Sequence, residues 1–318
     1  MAGKCIILDD YQNVATKMAD WQTLDKSLTI ECLHHHLRDR HQLVEALQQA
    51  VVIVVMRERT VIDRELLAQL PGLRLIVTSG MRNAAIDIAA AKEKGITVCG
   101  TASGSEPPAE LTWSLLLALA KNLLPEQHNL TGNGPWQSSL GTTLAGKNIG
   151  IIGLGKIGQR IARYAQAFEM NVYAWSPHLT AQRAQEAGVT FVAEKSALLA
   201  QSDFVTLHLV CAPATQGIIG WNDLQQMKPS AYLINTSRAA LIEQGALLRA
   251  LENNVIAGAA VDVFEEEPLA ADSPYRQSHH LLATPHLGYV SDSNYRTYFT
   301  QAIEDINGWL AGKPVREL

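Results

Sequence analysis

Hydrophobic positions along the chain fall into two alternating rhythms. Short runs rich in β-branched residues alternate with longer stretches in which apolar residues recur at helical spacing. The runs Lys4–Leu8, Leu28–Leu33, Val51–Val55, Arg74–Thr78 and Thr97–Cys99 predict a first series of strands, with helices at Arg40–Gln49 and Ile86–Lys94. A second series is predicted at Asn148–Ile152, Val172–Trp175, Phe204–His208, Ala231–Asn235, Ile256–Val261 and Leu281–Ala283, with helices such as Ile157–Phe168 and Gln244–Glu252 between them. Such alternation indicates parallel sheets joined by right-handed crossovers, an α/β architecture. Two stretches break the rhythm. Pro107–Leu123 predicts one long apolar helix with prolines in its first turn, where a missing N–H costs nothing, and Trp113 and Leu115–Leu119 read as its core face. Pro125–Gly146, rich in Gly, Asn and Ser, predicts a loop separating the two series. Val290–Leu310 predicts a last helix with no strand after it.

Composition narrows this picture. At about 150 residues per domain, 318 residues set an expectation near two domains. The chain is 47% hydrophobic and only 18% charged, which excludes disorder and hints at additional buried surface such as a subunit contact. Its net charge of −5, from 26 Lys+Arg and 31 Asp+Glu, argues against a general polyanion-binding surface, so no nucleic-acid partner is expected. Cys5, Cys32, Cys99 and Cys211 are scattered without a C-x-x-C pair and read as reduced, buried small hydrophobes. The first apolar run stops at Asp9-Asp10, unlike a signal peptide, and the longest, Ala50–Met56, is far short of the ~20 residues of a membrane span. A soluble, reducing, cytoplasmic location is expected. His34-His35-His36 reads as a surface run rather than a metal cluster, and no metal site is expected.

The first chemical signal is Gly153-Leu154-Gly155-Lys156-Ile157-Gly158, placed between the predicted strand Asn148–Ile152 and an apolar helix. In 22 glycines such a triplet alone says little; its position between strand and helix makes it a dinucleotide cradle. Gly153 permits the tight turn, Gly155 lets backbone amides approach a pyrophosphate, and Gly158 lets the helix pack against the sheet. The helix N-terminus adds partial positive charge. The next strand should end in an acid that grips the adenosine ribose. Ser176-Pro177-His178 stands there instead, followed by Thr180 and Arg183. With no carboxylate to repel a 2′-phosphate and two cationic candidates nearby, NADP(H) is favoured over NAD(H).

Arg238, Glu267 and His286 each lie just past a predicted strand, at the edge where open parallel sheets bind ligands. Singly, each has a bland reading: a surface ion pair, a solvated acidic turn, a hydrogen-bonded loop histidine. Together they carry a resemblance. From about Tyr11 to the C-terminus the chain resembles the D-isomer-specific 2-hydroxyacid dehydrogenases, in Leu144–Gly158, in Leu233-Ile-Asn-Thr-Ser-Arg238, in Gly258–Leu269 and in Thr284-Pro-His-Leu-Gly288.

The resemblance implies two Rossmann-like, doubly wound parallel-sheet domains. A flavodoxin-like substrate lobe, 1–101 plus 288–318, would receive an inserted dinucleotide-binding lobe, 102–287, with hinges near Gly100–Ser103 and His286–Ser291. It implies an NAD(P)-dependent oxidoreductase interconverting a small 2-keto acid and a D-2-hydroxy acid. Arg238 would bind the substrate carboxylate. His286 would be the general acid/base, and Glu267 would set its tautomer and favour its protonated form. Asp262 would lie near the nicotinamide carboxamide, with His208, Pro213, Thr215, Thr236, Ser237 and Gly288 along the cofactor path. Backbone amides of Ser79 and Gly80, with Met81 and Arg57, would supply further substrate contacts. A homodimer is implied, with the Pro125–Gly146 region reaching across and Trp136 as anchor. Three departures stand out. Ala239-Ala240 follow Arg238 where Gly is frequent, His208-Leu-Val-Cys-Ala-Pro213 replaces His-x-Pro, and Tyr289 occupies a position where a small residue is common. A dinucleotide-sensing corepressor of the same fold is the alternative from another class. Formate dehydrogenase, which pairs its histidine with Gln, is disfavoured by Glu267.

Overall fold

The computed structural model describes residues 3–318. Five strands form one sheet: β1 (Gly3–Ile7), β2 (Leu28–Cys32), β3 (Ala50–Val55), β4 (Leu75–Thr78) and β5 (Thr97–Gly100). Seven form another: β6 (Asn148–Ile152), β7 (Asn171–Trp175), β8 (Thr190–Phe191), β9 (Phe204–Leu207), β10 (Tyr232–Asn235), β11 (Gly258–Val261) and β12 (Leu281–Ala283). The orders are β2-β1-β3-β4-β5 and β12-β11-β10-β9-β6-β7-β8, and the ladders are parallel. Both sheets are therefore doubly wound. The chain reverses direction between β1 and β3 in one and between β6 and β9 in the other, leaving a crevice at the carboxyl ends of those strands. Strands covered by helices on both faces lose the in-out alternation, which is why Val52, Ile53 and Val55 are all fully buried and the run reads as continuously apolar.

The chain divides into two units, Met1–Gly104 with Val290–Leu318, and Ser105–Tyr289. The core of the first packs Ile6, Leu47, Ile53, Leu66, Leu73 and Ile76 between sheet and helices. In the second, Trp113 and Leu116 of the Glu106–Ala120 helix pack with Ile149, Ile161 and Phe204, and Trp113 meets Phe168 edge-on at 5.1 Å. That helix is core, as its pattern indicates.

Several local expectations change. The long helix stops at Ala120 rather than Leu123, because Asn122 turns left-handed at φ +51°. A second helix, Leu123–Thr131, then occupies part of the expected loop, with Pro125 in its first turn. None of its residues is buried, so it lacks the core-facing stripe by which helices are read from sequence. β8 was not anticipated; two residues carry no alternation to read. The last helix, Asp292–Leu310, is followed by an edge pairing in which Gly100 N donates to Arg316 O at 2.9 Å and Leu318 N to Val98 O at 2.9 Å.

The segment expected as a hinge at Gly100–Ser103 is hydrogen-bonded along its length. Gly100 lies in β5, and Thr101 N donates to Thr78 O at 3.0 Å. One face of the last helix then binds the next residues in turn: Gln301 Oε1 accepts from Ala102 N at 2.7 Å, Tyr298 Oη meets Ser103 Oγ at 2.8 Å, and Asn294 Oδ1 accepts from Gly104 N at 2.8 Å. These contacts place 102–104 with the first unit rather than the second.

All four cysteines are free thiols. Burial pushes the Cys5 thiol up to about 12, and the Cys32 and Cys99 thiols up to about 11. Cys32 is half-buried and Cys211 is exposed, so only Cys5 and Cys99 are the buried hydrophobes expected of all four.

Candidate active site and cofactor site

The glycine turn connects β6 to the Lys156–Ala167 helix. Gly153 has φ +104°, and a Cβ there would stand 2.7 Å from the His208 carbonyl carbon and oxygen. Only glycine lets β6 turn this close to the end of β9. A Cβ on Gly158 would stand 2.1 Å from Gly153 O, so this residue sets the helix-to-strand approach. Gly155 differs: a Cβ there meets nothing within 4 Å. Gly155 is also the N-cap, and no side chain caps the helix. The first-turn amides of Lys156, Ile157 and Gly158 thus retain their donors beside open space, a cradle that fits a pyrophosphate. Leu154 is buried beneath the turn.

Beyond β7, Ser176 is half-buried while Pro177, His178 and Arg183 are exposed, with no carboxylate between Asn171 and Arg183. Thr180 is committed locally, its hydroxyl accepting from Arg183 N at 3.3 Å as an N-cap.

At the end of β9, His208 Nε2 lies out of water without a hydrogen-bond partner, and burial pushes the imidazole down to about 3, leaving it neutral at physiological pH. In the exposed loop that follows, which includes Pro213, Thr215 spends its hydroxyl proton on Val210 O at 2.7 Å. At the end of β10, buried Asn235 braces the turn: its Nδ2 donates to Arg238 O at 2.9 Å and its Oδ1 accepts from Ser237 N at 3.0 Å. Ser237 Oγ donates to Leu209 O at 3.1 Å, tying this turn to the β9 loop. Thr236 Oγ1 lies 2.6 Å from Thr112 Oγ1, which itself donates to Pro108 O at 2.7 Å. A hydroxyl has one proton, so Thr236 donates to Thr112 and keeps only acceptor capacity. Arg238 Nη1 donates to Ser237 O at 2.7 Å, and Ala239–Leu241 form a 3-10 turn without positive φ. The absent glycine after Arg238 is therefore not needed here.

His286 follows β12 and Glu267 follows β11. His286 Nδ1–H donates to Glu267 Oε2 at 2.6 Å, and Glu267 Oε1 accepts from Phe264 N at 2.9 Å. This fixes the proton on Nδ1 and leaves Nε2 as the working nitrogen. Fully buried Asp262 accepts from Thr284 Oγ1 at 2.5 Å, Leu287 N at 2.7 Å and Gly288 N at 2.8 Å. Burial pushes its carboxyl up, and these hydrogen bonds oppose the shift. Asp262 thus clamps the turn carrying His286, which adopts φ +51°. Gly288 sits tightly beside it, since a Cβ would lie 3.2 Å from Asp262 Oδ2 and would press on that carboxylate.

The other candidate residues lie at the carboxyl edge of the five-stranded sheet. Arg57, at φ +51°, follows β3; its N donates to Ser79 Oγ at 2.8 Å and its Nη1 to Ser79 O at 3.2 Å across Gly80. The expectation that the Ser79 and Gly80 amides meet a carboxylate is corrected. Ser79 N donates to Val55 O at 3.0 Å and Gly80 N to Thr101 Oγ1 at 3.0 Å, so both are spent within the fold. Met81 is exposed. In the histidine run His34 and His35 are exposed, as expected of a surface run, while His36 turns inward and donates from Nδ1 to Asp9 Oδ1 at 3.1 Å; His34 Nδ1 donates to Asp10 O at 3.1 Å.

Comparison with known proteins decides the family. Residues 113–288 match the model for "D-isomer specific 2-hydroxyacid dehydrogenase, NAD binding domain". The chain belongs to the D-isomer specific 2-hydroxyacid dehydrogenase family. It is 36% identical over 277 residues to D-3-phosphoglycerate dehydrogenase of Methanocaldococcus jannaschii, covering 86% of this chain and 52% of that one. The chain thus spans about half the length of the first curated relatives it matches. Against glyoxylate reductase of Thermococcus litoralis it is 36% identical over 259 residues, 78% of this chain and 77% of that one. A crystal structure of phosphoglycerate oxidoreductase from Vibrio cholerae superposes with a TM-score of 0.92 at 39% identity, covering 98% of this chain and 99% of that one. The two doubly wound sheets match this family's fold. Among the described residues, no helix is long and apolar enough to cross a membrane.

Sequence reading missed Asn235, Thr112 and Thr284. Each is a polar residue next to an apolar run; the partners of Thr112 and Thr284 come from other elements, while those of Asn235 lie two and three residues further along its own turn. The only available signal was a polar side chain in a position otherwise buried.

Proposed function

We propose that this member of the family is an NAD(P)-dependent oxidoreductase that interconverts a small 2-keto acid and its D-2-hydroxy acid, with His286 as general acid/base. The observation that carries this reading is the 2.6 Å Nδ1–H to carboxylate bond between His286 and Glu267, at the carboxyl edge of the same sheet that bears the glycine turn. With Nδ1 occupied, His286 Nε2 delivers a proton to the keto oxygen in reduction and removes it from the hydroxyl in oxidation. Glu267 keeps the tautomer and balances the imidazolium charge that appears between the two states. Arg238 offers a planar guanidinium to the substrate carboxylate and so aligns the reacting carbon. The Gly155 turn and the amides of Lys156–Gly158 would hold the pyrophosphate, while Thr236 accepts a hydrogen bond and Ser237, Pro213 and Thr215 line the path. When bound, the nicotinamide supplies or takes up the hydride. Arg57 and Met81 remain substrate-side residues in this reading, through side chains rather than the amides of Ser79 and Gly80.

The finer reading is a preference for NADP(H). What supports it is the edge formed by half-buried Ser176 and exposed His178 and Arg183, with no carboxylate where a ribose-gripping acid is usual. A homodimer is also proposed: Leu123, Leu124, Leu130, Trp136 and Leu140 are all more than half exposed along one segment, an apolar surface that a second copy would cover. A cytoplasmic location suits four free thiols. The intact His286–Glu267 pair and the names of the relatives, dehydrogenase and reductase, support an enzyme over a corepressor.

The test is a panel of glyoxylate, hydroxypyruvate and 3-phosphohydroxypyruvate with NADPH and with NADH. Turnover of at least one, with higher kcat/KM for NADPH, is expected. Dinucleotide binding without turnover of any 2-keto acid favours the corepressor, and higher kcat/KM with NADH overturns the cofactor preference.

A further inference from the structure

We propose that Tyr289 is a positioning residue for His286, holding the plane of the imidazole while Glu267 holds its Nδ1. The proposal rests on the reading of His286 as the proton-transfer residue. The torsion about the Cβ–Cγ bond of a histidine is broad, so nothing within the side chain fixes its plane. A single hydrogen bond fixes one direction and leaves the ring able to rock about it. Glu267 supplies that one bond at 2.6 Å. The second constraint is the Tyr289 ring, which meets the His286 ring edge-on with centroids 5.0 Å apart and planes at 75°.

Both rings hang from one clamped turn. Asp262 accepts from Leu287 N and Gly288 N, the two amides between His286 and Tyr289, so their backbone spacing is set by a fully buried carboxylate. Tyr289 is itself only 6% exposed and cannot swing away into solvent. His286, at φ +51°, occupies a backbone conformation that side chains other than glycine adopt only where their surroundings impose it. Glu267, Asp262 and Tyr289 together supply those surroundings. A small residue at 289 leaves the imidazole edge without this wall. Tyr289 does not exchange a proton with substrate; it fixes where Nε2 points.

The test compares Tyr289→Phe, Tyr289→Leu and Tyr289→Ser with the unaltered protein in two measurements. The first is the far-downfield proton NMR resonance of the Nδ1–H shared with Glu267, assigned by its loss in His286→Gln. The second is kcat and KM for a 2-keto acid, alongside cofactor Kd by fluorescence titration. Tyr289→Phe, which keeps the ring, should retain the resonance and kcat within about threefold. Tyr289→Ser should broaden the resonance away and lower kcat about tenfold with cofactor Kd unchanged, because a misaimed proton donor slows chemistry without touching the dinucleotide cradle. Tyr289→Leu, which preserves apolar bulk and guards against a folding defect in the serine variant, should share the kcat loss. A sharp resonance and unaltered kcat in both Leu and Ser variants overturns the proposal, as does a kcat loss in Phe as large as in Ser. Should no 2-keto acid be turned over at all, the functional reading fails, while the resonance still reports whether Tyr289 holds His286.

Discussion

The two sheets end in edges of the same kind, both at the reversal point of a doubly wound fold, yet they use their polar groups in opposite ways. At the edge of the five-stranded sheet the polar groups are consumed by one another. Buried Asp9 accepts from Thr60 Oγ1 at 2.6 Å and His36 Nδ1 at 3.1 Å, and its carbonyl accepts from Arg59 Nη1 at 2.5 Å. Asp10 caps Val14 N and Ala15 N at 3.0 and 3.1 Å, and the Ser79 and Gly80 amides are taken by Val55 and Thr101. At the edge of the seven-stranded sheet the helix after the glycine turn is uncapped, space stands open above Gly155, and His208 Nε2 has no partner. Its buried carboxylate, Asp262, is spent on aiming His286 rather than on closing the edge. The backbone amides of one edge are spent inside the fold, leaving only side chains such as Arg57 and Met81 for the proposed substrate contacts, while the other edge keeps backbone donors open. The fold offers both alike; the difference lies in which donors the side chains fill.

The sharpest break of this contrast is at His286. His286→Gln should lower kcat by about 10²–10⁴, the usual contribution of a positioned acid/base, with cofactor Kd and thermal stability little changed; near-normal kcat would remove His286 from the chemistry. Next come the two glycines of the cradle. Gly158→Ala forces a methyl against Gly153 O and should cost about 1–3 kcal/mol in urea unfolding. Gly155→Ala meets no protein atom, so it should leave stability intact while weakening dinucleotide binding. Equal stability losses in both would erase the distinction between a packing glycine and a cradle glycine. At the other edge, Thr60→Val removes the hydroxyl that serves Asp9 and should cost about 1–3 kcal/mol with kcat/KM unchanged within twofold. A large loss of activity with unaltered stability would show that the Asp9–Thr60 pair serves the ligand rather than the fold.

The smallest effect concerns pH. Asp305, fully buried with Arg316 Nε 3.1 Å away, is pushed by burial from 3.8 to about 6. A raised carboxyl binds its proton more tightly in the folded chain, so its contribution to stability is fully present below 3.8 and is lost as the pH rises through about 6. Between about pH 4 and 6 the melting temperature should therefore fall less steeply with rising pH in Asp305→Asn than in the unaltered protein. Identical slopes would mean that Arg316 fully compensates the buried charge.

Most of the strands were legible because burial on both faces writes runs rich in β-branched residues, uninterrupted in Val51–Val55 and broken only by Gly150 in Ile149–Ile152. The Leu123–Thr131 helix was not, since it buries nothing and so leaves no stripe. Among the candidate site residues, Gly153 and Gly158 were legible because a positive φ at one and close approaches at both admit no side chain, and Gly155 only from its place between them, since a Cβ there meets nothing. Ser79 and Gly80 misled for the opposite reason: backbone amides carry no mark in the sequence showing whether they are already bonded.

The sequence by itself determined the alternation of strand and helix, the dinucleotide turn, and the presence of Arg238, Glu267 and His286 at strand ends, because these depend on residue type and local order. Only the tertiary structure decided which donors stay open. Asp262 turned toward Leu287 and Gly288, Thr236 gave its proton to Thr112, and Thr101 took the Gly80 amide. A hydrogen bond is satisfied by whatever group folding brings within about 3 Å, and local sequence does not say which distant group that will be.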